Sequence, residues 1–231
     1  MKPLFFDTET TSAENGRLVQ QACMVQGEAV RQALYRPPVP IELEAMAVHH
    51  ITEAMVADKP TFEQSGHRPS VQKLFDNNIA VAHNAKFDVG IMAAEGVKID
   101  RYIDTLKVAQ AVLDMPQYKL QYLRYALGLK FDREINPHDA EDDVIVLEGL
   151  FNALYAEMEH NFGVEGDSVD ENMILEAMIE ISMKPMLLKK MPFGKHKGLS
   201  FETVPHDYLW WLKKQPDLSE DLAYTLNHYL K

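Results

Sequence analysis

The chain has 231 residues, 46% hydrophobic and 25% charged, enough to bury a full core in one large domain with a small appendage. No apolar run approaches the roughly 18 to 20 residues that span a bilayer, and MKPLFFDTETT reaches polar residues too early for a signal peptide, so a cytoplasmic protein with no membrane partner is expected. A net charge of −12 opposes a polyphosphate partner unless metal or local lysines offset it, and a single cysteine, Cys23, excludes an internal disulfide and a multi-thiolate zinc site.

Leu4 to Phe6 reads as a short buried strand, followed by the polar run DTETTS. Leu18 to Val25 and Ala29 to Tyr35, separated by Gly27, predict two more strands, and Pro37, Pro38 and Pro40 end the third. Helical spacing then dominates over Ile41 to Val48, Val71 to Phe75, Val89 to Glu95, Thr105 to Leu113 and Leu120 to Leu127, with one further strand at Ile79 to Ala82. Asp104 is expected to cap the helix that opens DTLKVAQ. A long helix is predicted from Asp139, its cap with Asp142 as a box-like partner, to about Met158. Strands first, then alternation with helices, indicate an α/β or α+β layer with the sheet covered by helices.

Gly163, Gly166 and their polar neighbours mark a linker at about 160–167, between a domain over 1–160 and a smaller unit over 168–231. Ser168 and Glu171 form a capping-box signature for the first helix of that unit, continued by Ile174, Ala177, Met178 and Ile181.

The chemistry rests on acidic residues. Asp7 and Glu9 stand two apart at a strand end, so a period of two points both carboxylates the same way. Alone, such a pair more often describes a solvated strand end. Asp143 shares a helical stripe with Ala140, Val144, Leu147, Phe151 and Leu154, the face that packs on the core, where a carboxylate needs a partner or a metal. Asp88, in VAHNAKFDVGIM, follows a strand that turns into a helix, and His138 sits just before the helix of Asp143, which would bring its imidazole to the same cluster. Converging carboxylates without matched cations cannot all ionise, and all-oxygen ligation suits Mg²⁺ or Mn²⁺. Two such ions could hold an attacking water and stabilise a leaving 3′ oxygen, with His138 as general base.

FDTETT, HNAKFD and the H-x-A-x-x-D of His138 to Asp143 resemble, in order and spacing, the three exonuclease motifs of the DEDDh superfamily, which includes proofreading subunits. AMAVHHITEAMVADKP, MPFGKHKG, DYLWWL and TLNHYLK narrow the likeness to one branch of that superfamily, matched to the C-terminus. The resemblance implies a ribonuclease-H-like α/β fold, a mixed sheet covered by helices, with a small, mostly helical C-terminal unit. It implies that Asp7, Glu9 and Asp143 hold one catalytic metal, that Asp7 bridges to a second held by Asp88, and that His138 deprotonates water. It also implies that Thr10, Val48, His49, Asn84 and Phe87 line the pocket for the terminal nucleotide. Where the family often has glycine after two threonines, this chain has Ser12. His49 and His50 do not suggest a transition-metal site, because adjacent helical residues diverge and no third nitrogen or sulfur ligand is placed nearby.

Lys184, Lys189, Lys190, Lys195 and Lys197 fall in a stretch without acidic residues, interleaved with Phe193 and two glycines. Lys189, Lys190, Lys195 and Lys197 are candidate DNA contacts, with Phe193 able to stack on a base, and a solvated loop beside a core of Leu209, Trp210, Leu212 and Leu222 is the competing reading. Trp210 and Trp211 are expected as core and rim. The expected partner is DNA with a free 3′ end, single-stranded or duplex. The alternatives are an RNA or short-oligonucleotide exoribonuclease, a polymerase proofreading subunit, and a non-catalytic scaffold, the last opposed by competent residues at all five catalytic positions.

Overall fold

Alternation along Pro3–Thr10 sends Leu4 and Phe6 to one side of the strand and Phe5, Asp7 and Glu9 to the other, and this strand, β1, is the middle of the sheet. The structure is a computed structural model and describes residues 1–162 and 170–230. The sheet has five strands in the order β3-β2-β1-β4-β5, with β2 at Leu18–Val25, β3 at Arg31–Leu34, β4 at Ile79–Ala82 and β5 at Tyr102–Asp104. β2 pairs antiparallel with β1 and with β3, whereas β4 is parallel to both β1 and β5. β5 is not among the expected strands, because three residues are too few to show a period.

The helices are α1 (Leu43–His49), α2 (Glu53–Val56), α3 (Arg68–Asn77), α4 (Ala85–Ala94), α5 (Thr105–Val112), α6 (Leu120–Ala126), α7 (Ala140–Phe162) and α8 (Glu171–Met183). On one face Phe5 meets Phe151 of α7 edge-on at 5.4 Å, within a core that also takes residues of α5, α6 and α8. On the other, Phe6 meets Phe75 of α3 at 5.0 Å, beside Cys23, Ile91 and Met92. Because Asp143 and Phe151 lie two turns apart on one apolar stripe, α7 brings Asp143 to the end of β1 that carries Asp7 and Glu9.

Ser168 and the expected linker at about 160–167 fall at or within the stretch outside the described residues. Helix α8 buries Ile174, Leu175, Met178 and Ile179 in the larger core, and the two compact units divide between Ser182 and Met183. The α8 helix is capped by Asp170, whose Oδ1 accepts the Asn172 N–H at 3.0 Å.

The second unit has its own core of Met191, Phe201, Val204, Leu209, Leu212, Leu222, Leu226 and Leu230. It contains α9 (His206–Lys213) and α10 (Glu220–Tyr229), preceded by a narrow turn in which Lys190 bridges Ser200. Leu209 and Leu212, three apart, take the inner face of α9, so Trp210 and Trp211 between them point outward and are 46% and 53% exposed rather than core. Among the described residues no helix is long and apolar enough to cross a membrane.

Candidate active site

The register of β1 builds the site. Its parallel pairing with β4 covers only Pro3 to Phe5, so the last half of β1 has no strand on that side. The carboxylate of Asp88, in the first turn of α4, fills the place: its Oδ1 accepts the Thr8 N–H at 3.0 Å and the Thr8 hydroxyl at 2.6 Å. On the other side β1 stays paired with β2 until a register shift between Glu9 and Thr10, after which Thr10 aligns with Leu18 and Val19 joins a small cluster with Ile41, Ile51 and Val56.

Asp7, Glu9 and Asp143 converge, each offering a carboxylate oxygen within 4.8 Å of the others'. Burial first, then repulsion by Asp88, Glu9, Asp143 and Asp139, holds the Asp7 carboxyl well above the usual range. Glu9 is pushed up to about 8 by burial and by Asp143, Asp88 and Asp139. Asp88 rises to about 7, burial outweighing the two Thr8 hydrogen bonds. Asp143 is also raised by burial, against the Gln121 amide that donates to its Oδ1 at 2.6 Å and the His138 N–H that donates to its Oδ2 at 3.0 Å. Three carboxylates this close, each held above its usual range by burial, form an all-oxygen donor set that a divalent cation fits.

The other sequence-predicted residues have different surroundings. His138 donates its backbone N–H to Asp143, at φ 65°, and its exposed side chain lines a cleft of ≈ 750 Å³ with His49, Lys59 and Asn136, near enough to Asp143 to favour that carboxylate's charged form. His49 is buried, with Nδ1 accepting the Ile51 N–H at 2.9 Å and Nε2 3.1 Å from the Thr10 carbonyl. That arrangement fixes the neutral tautomer with its proton on Nε2, leaves no nitrogen for a metal, and agrees with a pKa lowered chiefly by burial. The Thr10 hydroxyl turns to the Ser12 carbonyl at 2.8 Å. Val48 and Asn84 are exposed and Phe87 is half-buried against the second core. Ser12 is accommodated by Gly16, since a Cβ there would collide with the Ser12 carbonyl and sit 3.0 Å from the Thr10 Cβ. Lys189, Lys190, Lys195 and Lys197 are exposed on the second unit.

Sequence reasoning missed Thr8 and Gln121, which orient Asp88 and Asp143, because a threonine and a glutamine carry no distinguishing spacing. It assigned Asp104 and Asp142 too little. Asp104 caps α5 through the Leu106 N–H at 3.0 Å and also accepts the Asn84 N–H at 2.9 Å, which ties β5 to the turn that delivers Asp88. Asp139 does cap α7, accepting the Glu141 N–H at 3.0 Å. Asp142 instead accepts the Asn136 N–H at 2.8 Å and pairs with Arg133 Nη2 at 2.8 Å, holding the loop before His138.

A mixed sheet of this order, with carboxylates from β1, α4 and α7 gathered at one strand end, defines a nuclease of the DEDDh class with a ribonuclease-H-like fold. Residues 4–151 match the family model described as Exonuclease, and the chain belongs to that family, as a 3′–5′ exonuclease acting on nucleic acids. It is 30% identical to exodeoxyribonuclease 10 of Escherichia coli K12 over 97% of both chains, and 32% identical to the DNA polymerase III epsilon subunit of Treponema pallidum over 65% of this chain and 75% of that one. Among solved structures it resembles exonuclease X in complex with 5′ overhanging duplex DNA, with a TM-score of 0.56 and 27% identity over 78% of this chain and 99% of that chain. The narrower likeness drawn from MPFGKHKG and DYLWWL is to exodeoxyribonuclease X. Residues 180–227 match a second family model, one named for quorum-sensing-regulated virulence factors.

Proposed function

We propose that the chain is a metal-dependent 3′–5′ exodeoxyribonuclease that releases nucleoside 5′-monophosphates from DNA 3′ ends in the cytoplasm. The convergence of Asp7, Glu9 and Asp143 within 4.8 Å carries the reading. DNA as substrate is supported by likeness to an exodeoxyribonuclease over nearly the whole chain. Asp7, Glu9 and Asp143 would hold one Mg²⁺ or Mn²⁺, and Asp7 with Asp88 a second. When bound, the ions neutralise phosphate charge and acidify water.

The chain's own groups do the rest. Thr8 aims Asp88, and Gln121 with the His138 N–H aims Asp143, so the carboxylates are oriented before any substrate arrives. His138, from the edge of the cleft, takes the proton of the attacking water. The water oxygen bonds to phosphorus, the bond from phosphorus to the penultimate 3′ oxygen breaks, and that oxygen leaves with the electron pair and is protonated by solvent. Val48 and Phe87 offer apolar surface to the terminal nucleotide, Asn84 a polar group, and Thr10 its backbone. His49 acts by holding Thr10, since both of its nitrogens are engaged.

Matched DNA and RNA oligonucleotides incubated with Mn²⁺ test the substrate. Faster trimming of DNA is expected, and a strong preference for RNA overturns the reading.

A further inference from the structure

Acidic and basic residues are segregated along this chain. Residues 183–231 hold eight lysines and five acidic side chains, a net of +3, whereas the whole chain carries −12. Within this basic unit the turn over residues 190–200 is closed by the Met191 N–H to the Leu199 carbonyl and the Gly198 N–H to the Met191 carbonyl, each at 2.8 Å. Gly194, at φ 73°, lets the turn settle on α9, since a Cβ there would lie 2.8 Å from the Tyr208 hydroxyl. This close approach builds a continuous aromatic row. His196 meets Tyr208 at 4.6 Å between ring centroids, Tyr208 meets Trp211 at 5.4 Å, and Lys195 Nζ stands 5.0 Å over the Tyr208 ring. Trp211 is 53% exposed and Phe193 47%, with Lys197 exposed on the same turn and Lys213 5.3 Å from the Trp210 ring.

We infer that the 190–200 turn and the outer face of α9 form a binding surface for unpaired nucleic-acid strand, with Trp211 stacking on a base and Lys195 and Lys197 meeting phosphates. A second protein's apolar patch would not call for lysines beside the rings. The rings offer π-faces that any base can cover, and the lysines supply the charge that the acidic remainder of the chain withholds. This rests on the exonuclease reading for its ligand class, but the surface shares no residue with the carboxylate cluster. Its role is affinity for the strand, independent of bond cleavage.

The test uses the full-length protein in EDTA with a fluorescein-labelled dT20 strand, measured by anisotropy across a range of salt. Trp211→Ala is expected to weaken binding about tenfold, the scale of one base stack removed. The Lys195→Glu/Lys197→Glu double variant is expected to weaken it further and to flatten the logarithmic salt dependence by about 0.7 for each phosphate no longer neutralised. Tyr224→Ala, an exposed aromatic of α10 outside the row, serves as the control and should bind as the unaltered protein does. A loss on dT20 larger than on a blunt duplex supports stacking on unpaired bases. If the unaltered protein degrades DNA with Mn²⁺ while both variants bind dT20 with unchanged affinity and salt slope, the surface is wrong. If the unaltered protein binds dT20 and both variants weaken that binding, but no protein degrades DNA, the exonuclease reading fails and the surface stands.

Discussion

Thr8 gives both its backbone N–H and its hydroxyl to one oxygen of Asp88, at 3.0 and 2.6 Å, across 80 residues of sequence. The pair marks where β4 stops and α4 takes over its place beside β1. Thr8→Val removes the hydroxyl bond while nearly keeping the shape. A hydrogen bond to a charged group contributes about 1.5 to 3 kcal/mol, so the Mn²⁺ concentration for half-maximal nuclease activity should rise about tenfold or more. An unchanged metal titration would show that Asp88 needs no such support.

Arg133 and Asp142 predict a loss in turnover. Asp142 is 1% exposed and anchors the loop that presents His138. Asp142→Asn should shift that loop and lower kcat by between about ten- and a hundredfold, the scale of a small misplacement near the chemistry, with a smaller change in KM. Arg133→Ala should act in the same direction, and the double variant should be no worse than Asp142→Asn alone. Additive losses would separate the pair from the loop.

Acidity and metal are linked. The carboxyls of Asp7, Glu9, Asp88 and Asp143 are all raised in the fold, Asp88 to about 7 and Glu9 to about 8. Between their ordinary values and these, the folded protein holds more protons than the unfolded chain, so its stability falls as pH rises. In EDTA, Tm should therefore drop from about pH 5 to pH 8 through these groups, and Mn²⁺ should reverse the drop while releasing protons. The half-buried His83 works at the other end: desolvation lowers its pKa to about 4, so its contribution is present above about 6.5 and lost as pH falls toward 4. Calorimetric titration of metal in two buffers of different ionisation enthalpy reads the proton release directly, and none would contradict the raised carboxyls.

Gly16→Ala tests the loop that tolerates Ser12. The added methyl meets the Ser12 carbonyl and the Thr10 side chain, a form of overpacking that costs about 1 to 3 kcal/mol. Thermal unfolding should move down by several degrees. Ser12→Gly should be milder, because the Ser12 hydroxyl gives up only one bond, to the Glu14 carbonyl at 2.8 Å.

Much of the fold and site is legible in the sequence because two periods carry it. The two-residue spacing of Asp7 and Glu9 puts them on one face and the apolar stripe of α7 turns Asp143 inward, while their meeting in one metal site is what the resemblance of the three ordered motifs implies. Three kinds of feature are not legible there. β5 is too short for a pattern. Thr8, Gln121 and Arg133 act through partners distant in sequence and leave no local mark. The partner of α8 is the third: its apolar stripe is plain in the sequence, but only packing shows that Ile174, Leu175, Met178 and Ile179 join the larger core. Trp210 and Trp211 show the converse, large apolar residues that helical phase leaves in solvent.

The Asp7, Glu9 and Asp143 cluster is the centre of the proposed hydrolysis from the 3′ end. A 5′-labelled single strand incubated with Mn²⁺ and resolved by length tests this role most directly. The predicted result is a ladder shortened one nucleotide at a time from the 3′ end, abolished by EDTA and by Asp7→Ala. A ladder that persists in the Asp7→Ala protein, or cleavage that begins at internal bonds, would contradict it.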